Sequence, residues 1–99
     1  MRTFLMTVMF VAIAAAVSAQ DFNKGLAAAQ SGDFSTALKE WTPLAEQGNV
    51  HAQSNLALMY IRGDGVTQDY KKALKWYTLA AEQGSAKAQS ELALMYRRG

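Results

Sequence analysis

The chain has 99 residues, 51% apolar and 18% charged, with a formal net charge of +2 and no cysteine. That length allows one small domain at most, and the missing thiol excludes a disulfide framework, a zinc knuckle, a haem attachment site and a cysteine nucleophile. Without Arg2, nine basic residues face eight acidic ones, a balance that argues against nucleic acid or an anionic membrane as partner.

The apolar residues are unevenly spread. Residues 1–19 hold 15 of them, leaving 35 among the 80 residues from Gln20 onward, and 13 of those 35 are alanine. Met1-Arg2-Thr3 is a short basic start, Phe4 to Val17 is an apolar run broken only by Thr7, and Val17-Ser18-Ala19 puts small side chains where a signal peptidase inspects them. The pattern predicts a signal peptide over 1–19, cut between Ala19 and Gln20. The run falls short of the about 20 residues that a membrane span needs, so no stable membrane anchor is expected after cleavage. No cysteine follows the cut to carry a lipid. The expected location is therefore periplasmic or extracellular, and the short alanine-rich leader favours a bacterial source.

Residues 20–32 carry Phe22, Leu26 and Ala29 at helical spacing before Ser31-Gly32, which predicts an N-terminal capping helix. From Asp33 onward the chain repeats itself. Shifted by 36 positions, Asp33–Gly63 aligns with Asp69–Gly99 without a gap, and 19 of the 31 pairs are identical. A period of this size marks an array of supersecondary units. The units are read as 33–68, including a linker loop, and 69–99.

Each unit reads as two helices. Phe34, Ala37, Leu38, Trp41, Leu44 and Ala45 form the stripe of the first, capped by Asp33 and stopped by Gly48. Asn49 caps the second, which carries Ala52, Leu56, Met59 and Tyr60 and ends at Gly63. In the later unit Asp69 and Ser85 are the caps, Gly84 is the stop, and Tyr70, Ala73, Leu74, Tyr77, Ala80 and Ala81 are the stripe. Gly63-Asp64-Gly65-Val66-Thr67-Gln68 reads as a tight reversal with Val66 plugging the gap between units. Pro43, opposite Leu79, predicts a kink. Tyr60, Tyr96, Trp41, Trp76 and Tyr77 are expected to supply core area, and Gln53 and Gln89 to satisfy buried backbone groups.

The Gly-x-Gly-Val loop, Asp-Tyr-Lys-Lys-Ala-Leu-Lys-Trp-Tyr, Ala-Ala-Glu-Gln-Gly, Ala-x-Ala-Gln and Leu-Ala-Leu-Met-Tyr segments together resemble the Sel1-like repeat, a relative of the tetratricopeptide repeat. The resemblance covers Asp33 to Gly99. It implies an all-α fold, an α/α superhelix (solenoid) of antiparallel helix pairs, and an adaptor that holds other proteins. Some members are cysteine-rich secreted proteins, and what that subgroup does is not carried over to a chain without cysteine. Because Gly99 corresponds to Gly63, the expectation is either a fragment lacking further repeats or a marginally stable short array.

Little in the sequence points to catalysis. His51 is the single histidine and its repeat counterpart is Lys87, as on a solvated helix face; neither a metal site nor any cofactor is expected. Gly63-Asp64-Gly65 lacks the preceding strand and the Gly-Lys-Ser/Thr of a phosphate loop. The expected partner is a protein or peptide, met by the face beside the core stripe of the first helices. There Ser35, Lys39, Thr42 and Glu46 form one row and Lys71, Lys75, Thr78 and Glu82 its copy. The lysines would meet a carboxylate and the threonines would donate hydrogen bonds. The alternative is a cell-envelope enzyme, or an accessory to one, acting on cell-wall material; it requires two acidic side chains in one cleft.

Overall fold

A computed structural model describes residues 22–98. The leader expected over 1–19, with its cut between Ala19 and Gln20, lies outside the described residues, as does Gly99. Residues 22–30 form α1, followed by α2 (Phe34–Glu46), α3 (Val50–Arg62), α4 (Tyr70–Glu82) and α5 (Ala86–Arg98). There is no strand among the described residues, so the fold is all-α, as the repeat pattern implies. None of the described helices is long and apolar enough to cross a membrane.

The helix starts follow the local chemistry of short polar side chains, which offer an oxygen to amides that have no partner inside the helix. Asp33 accepts from the Thr36 amide at 3.2 Å and from its hydroxyl at 2.7 Å. Those bonds hold the Asp33 carboxyl below its usual value, the hydroxyl contributing most. Asn49 accepts from the Ala52 amide, Asp69 from the amides of Lys71 and Lys72, and Ser85 from that of Ala88. Three tight turns close identically. The amides of Asp33, Asn49 and Ser85 reach back to the carbonyls of Ala28, Leu44 and Ala80, after Gly32, Gly48 and Gly84 at positive φ. Thus α1 enters α2 through the same turn that joins α2 to α3 and α4 to α5.

Successive helices pack against each other through α2, α3, α4 and α5. The core is small-residue rich, with Ala37, Ala52, Ala57, Ala73, Ala80 and Ala88 fully buried around Trp41, Leu44, Leu56 and Tyr77. Small side chains let helix backbones approach while the rings fill the remaining volume. Val66 packs half-buried against this core, as expected of a plug between units. Helix α2 runs through Pro43 without a break; the missing amide removes one rung of the ladder, and the ring faces solvent.

Three side chains depart from the periodic reading. Leu26 is 38% exposed, and α1 turns Gly25 and Ala28 inward instead. The reason is the Trp41 indole, which stacks on Phe22 at 5.7 Å and donates to the Phe22 carbonyl at 3.2 Å. A Cβ at position 25 would lie 2.5 Å from the indole nitrogen, so only glycine fits there. Tyr70, in the first turn of α4, is 60% exposed, and Tyr96 is 69% exposed. Helix α5 packs on α4 and buries only Ala88, and the ring at 96 lies outside that contact among the described residues.

Tyr77 contributes the largest fully buried side chain among the described residues, yet its hydroxyl has no hydrogen-bond partner among them. Burial pushes its pKa up to about 12; the Glu91 charge adds to the rise and Arg62 partly offsets it.

Candidate binding cleft

The ends of α2 and α4 lie side by side and leave a cleft of about 490 Å³. Ala45, Glu46, Gln47 and Gly48 form one wall, and Lys75, Trp76, Leu79, Glu82 and Gln83 form the other. Gln53 of α3 is the floor.

The floor is fixed by a relay of amides. Gln53 is 3% exposed. Its Nε2 donates to the Ala45 carbonyl at 3.1 Å, and its Oε1 accepts from Gln83 Nε2 at 2.9 Å. The first bond lies within one hairpin and the second crosses to the next. In the later hairpin Gln89 Nε2 donates to the Ala81 carbonyl at 3.3 Å, but Gln89 is exposed, so of the two glutamines expected to satisfy buried backbone groups Gln53 does so and Gln89 does not. A buried amide with both ends engaged is held in one orientation.

Apolar surface in the cleft comes from Leu79, which is 36% exposed, and from Trp76. The Lys75 ammonium rests 4.9 Å from the Trp76 ring centroid, a cation–π distance. Glu46 and Glu82 are both exposed. They form the last residues of α2 and α4, and neither helix carries a basic residue in its last turn.

Of the six residues expected to bind a partner, Lys75 alone lines this cleft; Ser35, Lys39, Thr42, Lys71 and Thr78 do not. The threonine hydroxyls are not available as outward donors either. Thr42 Oγ1 donates to the Leu38 carbonyl and Thr78 Oγ1 to that of Leu74, each at 2.7 Å, the back-bonding open to threonine inside a helix. Ser35, Lys39 and Lys71 are exposed. Leu79, Trp76, Gln53 and Gln83 were missed by the row of surface positions, although the Glu-Gln-Gly and Ala-Gln segments shared by both units pointed to the glutamines.

His51 is exposed, with its ring 6.0 Å from that of Phe22, which makes it a packing partner of α1. Among the described residues no three His, Cys, Asp or Glu side chains are grouped to hold a metal ion.

A family model described as Sel1 repeat matches residues 50–85 and again residues 86–99. Its boundaries fall before α3 and before α5, so each unit is counted from a second helix and not from a first. No curated protein and no solved structure matches the chain.

Proposed function

The chain belongs to the Sel1 repeat family, and from that premise we propose that it is an exported, non-enzymatic adaptor that holds a protein or peptide segment in the cleft between α2 and α4. The observation that carries the reading is the cleft itself, a concave surface with an apolar wall at Leu79 and Trp76 and charged ends at Lys75, Glu46 and Glu82. Binding sites for extended segments combine such apolar area with a few polar groups that fix orientation. Export is supported by the basic start, the apolar run and the small residues at Val17-Ser18-Ala19.

Affinity capture from the exported fraction tests the function, with Leu79→Glu as control because Leu79 is partly exposed and its replacement spares the core. A specific protein recovered by the wild type and lost with L79E supports the adaptor. Recovery of wall fragments or small molecules in its place overturns it. Sequencing the N-terminus of the exported protein tests the cut, which is expected to leave Gln20 first. Joint reversal of Lys39 and Lys75 to glutamate, with capture unaltered, removes the lysine row from the binding surface.

A second reading, an enzyme or accessory acting on cell-wall material, has one observation in its favour: Glu46 and Glu82 line the same cleft. Both are exposed side chains at the ends of their helices. Release of soluble fragments from purified wall material, abolished by Glu46→Gln or Glu82→Gln, is the result that would establish it.

A further inference from the structure

The shared segments of the two hairpins sort into residues with a structural task and residues without one. Ala45 and Ala81 supply the carbonyls that Gln53 and Gln89 hold, Gln83 crosses between hairpins, and Gly48 and Gly84 make the turns. Glu46 and Glu82 are identical as well, yet neither makes a hydrogen bond or an ion pair among the described residues. The one ion pair among the described residues is elsewhere, between Lys24 and Glu40.

Their position makes that absence notable. The C-terminal end of a helix carries the negative pole of its backbone dipoles and favours a cation. Here both helix ends carry a glutamate and no basic residue in the last turn, so two carboxylates and two negative helix ends converge on one cleft. The sole cation in its lining, Lys75, is held against the Trp76 ring. The cleft is therefore electronegative at its rim and apolar at Leu79 and Trp76.

We propose that this cleft selects a basic peptide segment, one that places a lysine or arginine between Glu46 and Glu82 and an aliphatic neighbour against Leu79. The inference rests on the binding-module reading above and gives its partner a charge. A guanidinium or ammonium entering there meets two carboxylates and two helix ends of favourable sign, while its methylene stem covers the apolar wall. An acidic segment meets the same groups with the wrong sign. The charge is thus opposite to the one expected from the lysine row: of that row's eight residues Glu46, Lys75 and Glu82 line the cleft, and two of those three are acidic.

The experiment is selection from a random peptide library on the chain as its host exports it, followed by titration of the selected peptides against wild type, Glu46→Gln/Glu82→Gln and Lys39→Glu/Lys75→Glu. Since the two glutamates make no hydrogen bond or ion pair among the described residues and stand at helix ends of unfavourable sign, their amides keep the helical spectrum and do not lower the melting temperature, which separates lost binding from lost structure. Enrichment of Lys or Arg beside an aliphatic residue is expected, with affinity about tenfold lower in the double amide variant and falling as salt rises. Enrichment of acidic peptides, or affinity untouched by the amides and abolished by the lysine reversals, overturns the basic-segment inference and leaves the binding module standing. Failure of the folded protein to select any peptide overturns both.

Discussion

Replacing Tyr77 by phenylalanine is expected to stabilise the protein, against the usual direction for a fully buried residue. The ring at 77 is 0% exposed and packs in the core, and its hydroxyl has no hydrogen-bond partner among the described residues. A buried hydroxyl without a hydrogen bond costs about 1–3 kcal/mol. Removing it leaves an oxygen-sized void of roughly 10 Å³, worth about 0.2 kcal/mol at about 24 cal/mol per Å³. The net gain is therefore about 1–3 kcal/mol, and in a domain of this size each kcal/mol raises Tm by roughly 4–8 °C. A second signature lies in the alkaline range. Burial, reinforced by Glu91, holds the Tyr77 phenol at about 12 against a reference of 10.0. Below pH 10 it is neutral in both states and its contribution to stability is complete. Between 10 and 12 the unfolded chain sheds the proton while the folded chain keeps it, so stability falls as pH rises. Urea melts followed by circular dichroism at pH 7 and pH 11 check both effects, and the difference between wild type and Y77F cancels the titration of the other tyrosines and the lysines. A variant less stable than wild type at pH 7, or an equal alkaline loss in both proteins, refutes the account of an orphaned hydroxyl.

Gly25→Ala is expected to lower stability by about 1–2 kcal/mol, because the overpacking against the Trp41 indole outweighs a helix-propensity gain of up to about 1 kcal/mol; a raised urea midpoint would show that the indole moves aside freely. Asp69→Ala removes the oxygen that two amides of α4 share and costs about 1 kcal/mol in the same melt. Pro43→Ala restores a rung of α2 at an exposed position and is expected to gain at most about 3 kcal/mol; a loss would mean that the ring itself supports the helix. Gln53→Ala removes the side-chain donor to the Ala45 carbonyl, which keeps the Gly48 amide, and the acceptor of Gln83; it costs about 1 kcal/mol and shows coupling to Gln83→Ala in a double-mutant cycle.

The hairpins were legible in the sequence because their signals are local and doubled. Asp33, Asn49, Asp69 and Ser85 cap the helices that follow them, and Gly48, Gly63 and Gly84 stop the ones before, each through bonds spanning only a few residues. The inward face of α1 was not legible, since apolar periodicity favours Leu26 while the deciding object is an indole sixteen positions after Gly25. Tyr96 misled for a related reason: its copy Tyr60 is half-buried beside α4, and an identical residue on α5 has no such neighbour. The cleft was only partly reached by a row counted along single helices, which held Glu46, Lys75 and Glu82. It arises where two helix ends meet over Gln53, and the Leu79 and Trp76 wall belongs to a geometry set by stacking.

The Gln53–Gln83 bond has a consequence for how the protein responds to its surroundings. Glutamate has the same shape as glutamine, but at position 53 it would set an oxygen against the Ala45 carbonyl and would be accepted only with a proton on it. With amides there, the bond that ties one hairpin to the next is uncharged, and changes of acidity or ionic strength pass it by. The carboxylates at the rim carry charge, and ions in the medium screen them. Binding of the proposed basic segment would then weaken with salt while the frame that presents the carboxylates keeps its shape.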